Sequence, residues 1–91
     1  MANTSNLVHI PLERGYMYTF RSVAMRYYPH LKPETASRYF RRLINSDPML
    51  LRGLMLRCYR PRQRSLTPRQ IEYLIEELGE PKEFYEITIG R

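Results

Sequence analysis

Arg38, Arg41, Arg42 and Asn45 fall at i, i+3, i+4 and i+7, with Thr35 one turn earlier. On a helix this spacing stacks all of them along one side. A guanidinium fork grips guanine edges bidentately, a carboxamide reads adenine, and both groups bind phosphate oxygens. The competing account is a solvated helix face, but such a face usually mixes signs. No acid stands between Glu34 and Asp47, so repulsion along this stripe has no local relief. A second basic set, Arg60, Arg62 and Arg64, alternates through the following loop. Taken alone, it reads equally well as a solvated loop. Beside the helix face it gains weight, because two separated basic elements can straddle a duplex. Tyr59 adjoins this loop and is the tyrosine that suits base stacking. The other tyrosines are better explained as core edges whose hydroxyls reach water.

Charge is divided along the chain. Residues 21–69 hold twelve Arg or Lys against Glu34 and Asp47, whereas residues 70–91 hold six Glu against Lys82 and Arg91. The whole chain of 91 residues carries +6. A basic block with helical periodicity suggests a surface that meets polyphosphate. The acidic end suits repulsion of DNA, pairing with the basic block of a second copy, or plain solubility.

Other chemistry finds little support. Cys58 is the single cysteine, which excludes an internal disulfide and a cysteine-based zinc site. His9 and His30 are far apart and lack metal-motif spacing. Asp47 reads as a helix cap, and Glu72, Glu76 and Glu77 read as a helix exterior. No local nucleophile motif or glycine-rich phosphate loop is present. The expectation is therefore a non-enzyme with no cofactor and no small-molecule substrate. The start, Met1 to Asn6, lacks a signal peptide's basic and apolar regions. Met49–Met55 contains Arg52 and is too short to span a bilayer. A cytoplasmic protein away from membranes is expected, and Asn3-Thr4-Ser5 is read as a chance sequon.

Four helices should position the basic residues. Thr19 caps a first helix to Tyr28, with Phe20, Val23, Ala24 and Tyr27 as its apolar stripe. Pro29 stops it. Pro33 opens a second helix whose core side is Ala36, Tyr39 or Phe40, Leu43 and Ile44. Ser46 or Asp47 caps a third, with Leu50, Leu51, Leu54 and Met55 buried. Gly53 should weaken it by about 1 kcal/mol relative to Ala. Residues 58–66 form a basic loop, or a wing if they close into a hairpin. Thr67-Pro68-Arg69-Gln70 signals the N-terminus of a fourth helix, with Ile71, Leu74, Ile75 and Leu78 inward and Gly79 as its stop. Met17, Met25, Met49 and Met55 are expected as core filler. Phe84, Ile87 and Ile89 suggest a short terminal strand or docking tail.

Val23-Ala24-Met25-Arg26-Tyr27-Tyr28-Pro29, Ala36 with Arg41-Arg42-Leu43-Ile44, Leu66-Thr67-Pro68-Arg69-Gln70-Ile71 and Leu78-Gly79-Glu80-Pro81 together resemble a family of small uncharacterised proteins of Bacteroides-type bacteria. That family is a domain of unknown function, and the resemblance covers roughly residues 15 to 81. It implies a bacterial cytoplasmic protein, with a mobile element as one source, and assigns no activity. A Trp is common in the family where this chain has Leu43. The order of elements is more loosely similar to the DNA-binding heads of MerR-type regulators and phage excisionases.

The expected fold is mainly α, a small helix-turn-helix-type bundle of about four helices with a short terminal strand or tail. Residues 1–14 would be a flexible arm, 15–81 the DNA-binding-like domain and 82–91 the tail. The expected function is non-enzymatic binding of double-stranded DNA, as a transcriptional regulator or mobile-element accessory factor. A single module buries little DNA, so a homodimer or tandem sites would suit tight binding. The alternative is a protein-interaction or self-assembling accessory module whose basic face meets an acidic partner. RNA binding is a variant, although no RNA-module signature is visible.

Overall fold

Capping residues set the element boundaries of the structure, a computed structural model that describes residues 8–90. The first strand, β1 (Tyr18–Thr19), runs directly into α1 (Phe20–Tyr27). Thr19 caps α1 by accepting from the Ser22 amide. Pro33 opens α2 (Pro33–Ser46) and Pro48 opens α3 (Pro48–Met55). Asp47 caps α3 by accepting from the Met49 and Leu50 amides. A second strand, β2 (Ser65–Leu66), precedes α4 (Pro68–Leu78), and α5 (Pro81–Phe84) continues into a π-helical turn, Tyr85–Ile89. β1 and β2 pair antiparallel, Tyr18 with Leu66 and Thr19 with Ser65. The architecture is a small helical bundle with one two-stranded ribbon, mainly α as the periodicity indicates.

Aromatic rings fill the middle of this bundle. Tyr27 stacks on Phe40 at 5.3 Å and meets Phe84 edge-on at 5.3 Å. Phe20 lies against the same Phe40 ring. The Tyr27 hydroxyl donates to the Gly79 carbonyl, so it ends inside the fold rather than in water. Burial, and then the negative charge of Glu80, hold its proton well above the usual tyrosine range. Ala36, Phe40 and Ile44 bury the inner side of α2, while Tyr39 turns outward. That orientation points the basic side of α2 away from the core.

Of the two expectations for the C-terminal segment, a short strand or a docking tail, the strand does not form: the segment is helical and docks through Phe84. Glu83 accepts from the Glu80 amide, Pro81 supplies the first turn, and Phe84 closes onto α1 through Tyr27 and Tyr28. Helical spacing buries Pro81 and Phe84 together, which alternation would not. Residues 1–7 of the expected arm, and Arg91 of the expected tail, lie outside the described residues. Residues 8–14 have no regular structure but pack on the body: Leu12 is buried, and Arg26 donates to the Pro11 carbonyl.

The methionines also depart from expectation. Met17, Met25, Met49 and Met55 are all exposed, because aromatic and branched side chains already fill the core. Leu78 is only half-buried at the end of α4. Gly53 has a specific reason. A β-carbon there would overlap the Tyr73 hydroxyl and ring. Arg57 holds that ring in place, with its guanidinium 4.2 Å above it and Nη1 donating to the Gly53 carbonyl.

After α3 the chain reverses in a Schellman arrangement. Tyr59 donates to the Leu54 carbonyl and Cys58 to the Met55 carbonyl. This places Cys58 at φ +68, a conformation that favours glycine. Cys58→Gly should therefore stabilise the domain by about 0.5–1 kcal/mol, read as a higher melting temperature. Gly53→Ala should destabilise the wild-type chain. In a Tyr73→Ala background it should instead stabilise by about 1 kcal/mol, the helix-propensity gain once the ring is gone. Equal effects in both backgrounds would refute the close approach.

Candidate nucleic-acid interface

The basic face of α2 follows from its buried side. With Ala36, Phe40 and Ile44 inward, Arg38, Arg42 and Asn45 are exposed and Thr35 is half-buried in the first turn. The Arg42 guanidinium lies 5.7 Å over the Tyr39 ring. Arg41 differs from its neighbours. It sits at the edge of the face, half-buried, with its guanidinium 4.5 Å over the Phe20 ring. Its Nε is enclosed and has no hydrogen-bond partner among the described residues. Arg41 is thus held by packing, in contrast to the fully outward position expected for it.

Residues 58–66 do not form a hairpin of their own. Pro61 stands in the turn, and only Ser65 and Leu66 enter a ladder, with Tyr18 and Thr19 as partners. Gln63 closes the loop instead. Its Oε1 accepts from the Arg60 amide, and its Nε2 donates to the Ser65 carbonyl and to Oε1 of Gln70. Gln70 is 1% exposed. Its Oε1 also accepts from the Thr67 amide at 3.0 Å, and its Nε2 donates to the Arg57 carbonyl at 2.9 Å. One buried carboxamide therefore ties α4, the end of α3 and the basic loop together.

Tyr59 is a correction. Only 3% of it is exposed, so its ring belongs to the core and offers no stacking surface. Burial raises its hydroxyl pKa, and the nearby Arg41 charge opposes that rise.

The two basic elements meet rather than stand apart. A groove of about 790 Å³ is lined by Thr19, Phe20, Arg21, Arg41, Arg62, Gln63 and Arg64. β1 and β2 position its walls, and the Phe20 amide donates to the Arg64 carbonyl. Arg60, Arg38, Arg42, Asn45 and Thr35 are not part of this lining. Arg21 is, although it lies outside both sequence motifs. Its sequence signal is its place two residues after the Thr19 cap, which puts it on the outer side of α1's first turn.

The histidines also come together through the fold. His9 and His30 lie on the Tyr85 ring, at 5.3 and 5.4 Å. No group of three or more His, Cys, Asp or Glu suited to a metal occurs among the described residues. Partial burial lowers the His30 pKa, although the residue keeps an exposed side.

Removing the Gln70 carboxamide should expose how the loop is held. Gln70→Ala is expected to cost about 2–4 kcal/mol, since each orphaned buried group costs about 1–3 kcal/mol. Gln63→Ala should leave the melting temperature nearly unchanged while speeding amide exchange at Arg60 and Ser65. Loss of global stability in Gln63→Ala would show that the loop is part of the folding core.

Among the described residues, no helix is long and apolar enough to cross a membrane. Searches of the curated proteins and of the solved structures gave no match. Residues 15–81, which include both strands, α1 to α4 and the whole groove, match the family model described as Domain of unknown function (DUF4248), and the chain belongs to that family.

Proposed function

We propose that this chain is a non-enzymatic DNA-binding protein acting as a transcriptional regulator or a mobile-element accessory factor in the bacterial cytoplasm. The observation that carries the reading is the groove in which Arg41, at the edge of the α2 face, meets Arg62 and Arg64 of the basic loop. The outward residues Arg38, Arg42 and Asn45, with Thr35 in the first turn, lie along the exposed side of α2. A helix presenting such a side fits the major groove. Arg41 flanks that side, and Arg60, Arg62 and Arg64 extend it toward backbone phosphates or the adjacent minor groove. The order of α1 and α2, then the Arg-rich loop and α4, is similar to the element order of the MerR and excisionase heads, although that loop closes no hairpin of its own.

A second reading is an accessory module that meets an acidic protein or another copy of itself. The exposed Met49, Met55 and Leu56 of the α3 segment favour it.

Binding of the purified chain to random-sequence duplex DNA at two salt concentrations, followed by selection from a library, separates these readings. The expected result is affinity that falls steeply with salt together with an enriched motif. Arg38→Ala or Asn45→Ala should relax the preference by about 1–3 kcal/mol at one base position. Salt-sensitive binding with no motif would replace the regulator by an architectural protein. Absence of binding at low salt would leave the acidic partner as the better account.

A further inference from the structure

We infer that the groove between β1–β2 and α2 is a phosphate clamp, formed by Arg21, Arg41, Arg62 and Arg64, that holds adjacent phosphates of one nucleic-acid strand. The inference deepens the DNA-binding reading and rests on it for the source of the phosphates.

The charge arrangement carries the argument. Four arginines line the groove, and its lining contains no acidic residue. Like charges gathered in one concavity repel each other and concentrate a positive potential there. Folding nevertheless fixes the backbone positions that carry all four, and the side chain of Arg41 as well. Arg41 is stacked on Phe20 at 4.5 Å. Arg62 and Arg64 stand on a loop pinned by Gln63 and by the bond from the Phe20 amide to the Arg64 carbonyl. Arg21 projects from the first turn of α1, which Thr19 caps. A chain of phosphates is the ligand that relieves such a set, because each guanidinium offers a planar fork to its oxygens. Stacking also lessens the side-chain ordering that binding would otherwise require of Arg41.

Position separates this clamp from base reading. The groove lies on the flank of α2 that carries Arg41, beside the exposed side that carries Arg38 and Asn45. A helix seated in the major groove has a sugar–phosphate backbone along its flank. Arg41 and Arg21 are accordingly backbone contacts, while Arg38, Arg42 and Asn45 face the bases.

The test is duplex binding by fluorescence anisotropy across a salt series, with library selection for each variant. Arg21→Ala and the double variant Arg62→Ala/Arg64→Ala alter exposed side chains, so folding is not at risk. Arg41→Gln keeps part of the stem over Phe20, and its melting temperature is checked. Each groove variant should weaken binding several-fold at low salt. Each should also flatten the salt slope by about 0.9 for every phosphate no longer neutralised, with the selected motif unchanged. Asn45→Ala should change the motif and leave the slope intact. A shifted motif with an unchanged slope in the groove variants would overturn the clamp while leaving DNA binding standing. So would unchanged affinity and slope. If the wild-type chain binds no DNA, the DNA-binding reading fails, and titration with inorganic tripolyphosphate decides the groove. Saturable shifts of the Phe20, Gln63 and Arg64 amide signals would sustain a clamp for a free polyphosphate. No shift would overturn it.

Discussion

The arrangement of this fold around its basic surface depends on one buried carboxamide. Gln70 uses its oxygen toward the Thr67 amide and the Gln63 side chain, and its nitrogen toward the Arg57 carbonyl. The oxygen of this buried amide is fully engaged by its two donors, and a buried amide left without its partners would be costly. The same atoms that start α4 therefore also decide where the chain runs after α3. An apolar residue of equal size could fill the space, but it would leave the Arg57 carbonyl and Thr67 amide unanswered. The loop carrying Arg60, Arg62 and Arg64 inherits its position from this constraint.

Electrostatics and packing then act in opposite directions. The basic side chains would move apart if free, and the core does not allow Arg41 to do so. Its guanidinium lies over the Phe20 ring, close enough to Tyr59 for its charge to oppose the rise in that hydroxyl's pKa. Aromatic contact offsets part of the cost of keeping that charge half-buried. The acidic end of the chain belongs to α4, α5 and the π-helical turn, and none of its carboxylates lines the groove. The division of charge seen along the sequence is thus partly kept in space.

Local signals are the legible ones. Thr67-Pro68-Arg69-Gln70 marks the start of α4 because a capping box is complete within four residues. Thr19 and Asp47 as caps, Pro33 and Pro48 as first-turn residues, and the basic stripe of α2 are readable for the same reason. What sequence does not disclose depends on partners distant along the chain. Gln70 looks like a capping residue, and only the fold gives it Arg57 and Gln63. Gly53 looks like a weak point in α3 until Tyr73 is brought against it. Tyr59 stands beside arginines in sequence yet turns inward. Phe84 to Ile89 contains β-favouring residues, but docking of Phe84 on Tyr27 and Tyr28 selects a helix. The methionines escape such a reading because composition cannot say which apolar side chains reach the core first.

The ribbon β1–β2 is only two residues deep on each side, yet it joins Tyr18 to Leu66. The helices α1, α2 and α3 all lie between those partners. Closing a loop of that span is entropically unfavourable until packing of the enclosed helices has brought its ends together. The helices can therefore form early from near-neighbour contacts, and the ribbon must follow. During synthesis the order is stricter, since Leu66 leaves the ribosome after all three helices. A nascent chain would already display its arginine stripe while lacking the groove that gathers Arg41 with Arg62 and Arg64. Shape at this surface is consequently acquired well after its charge.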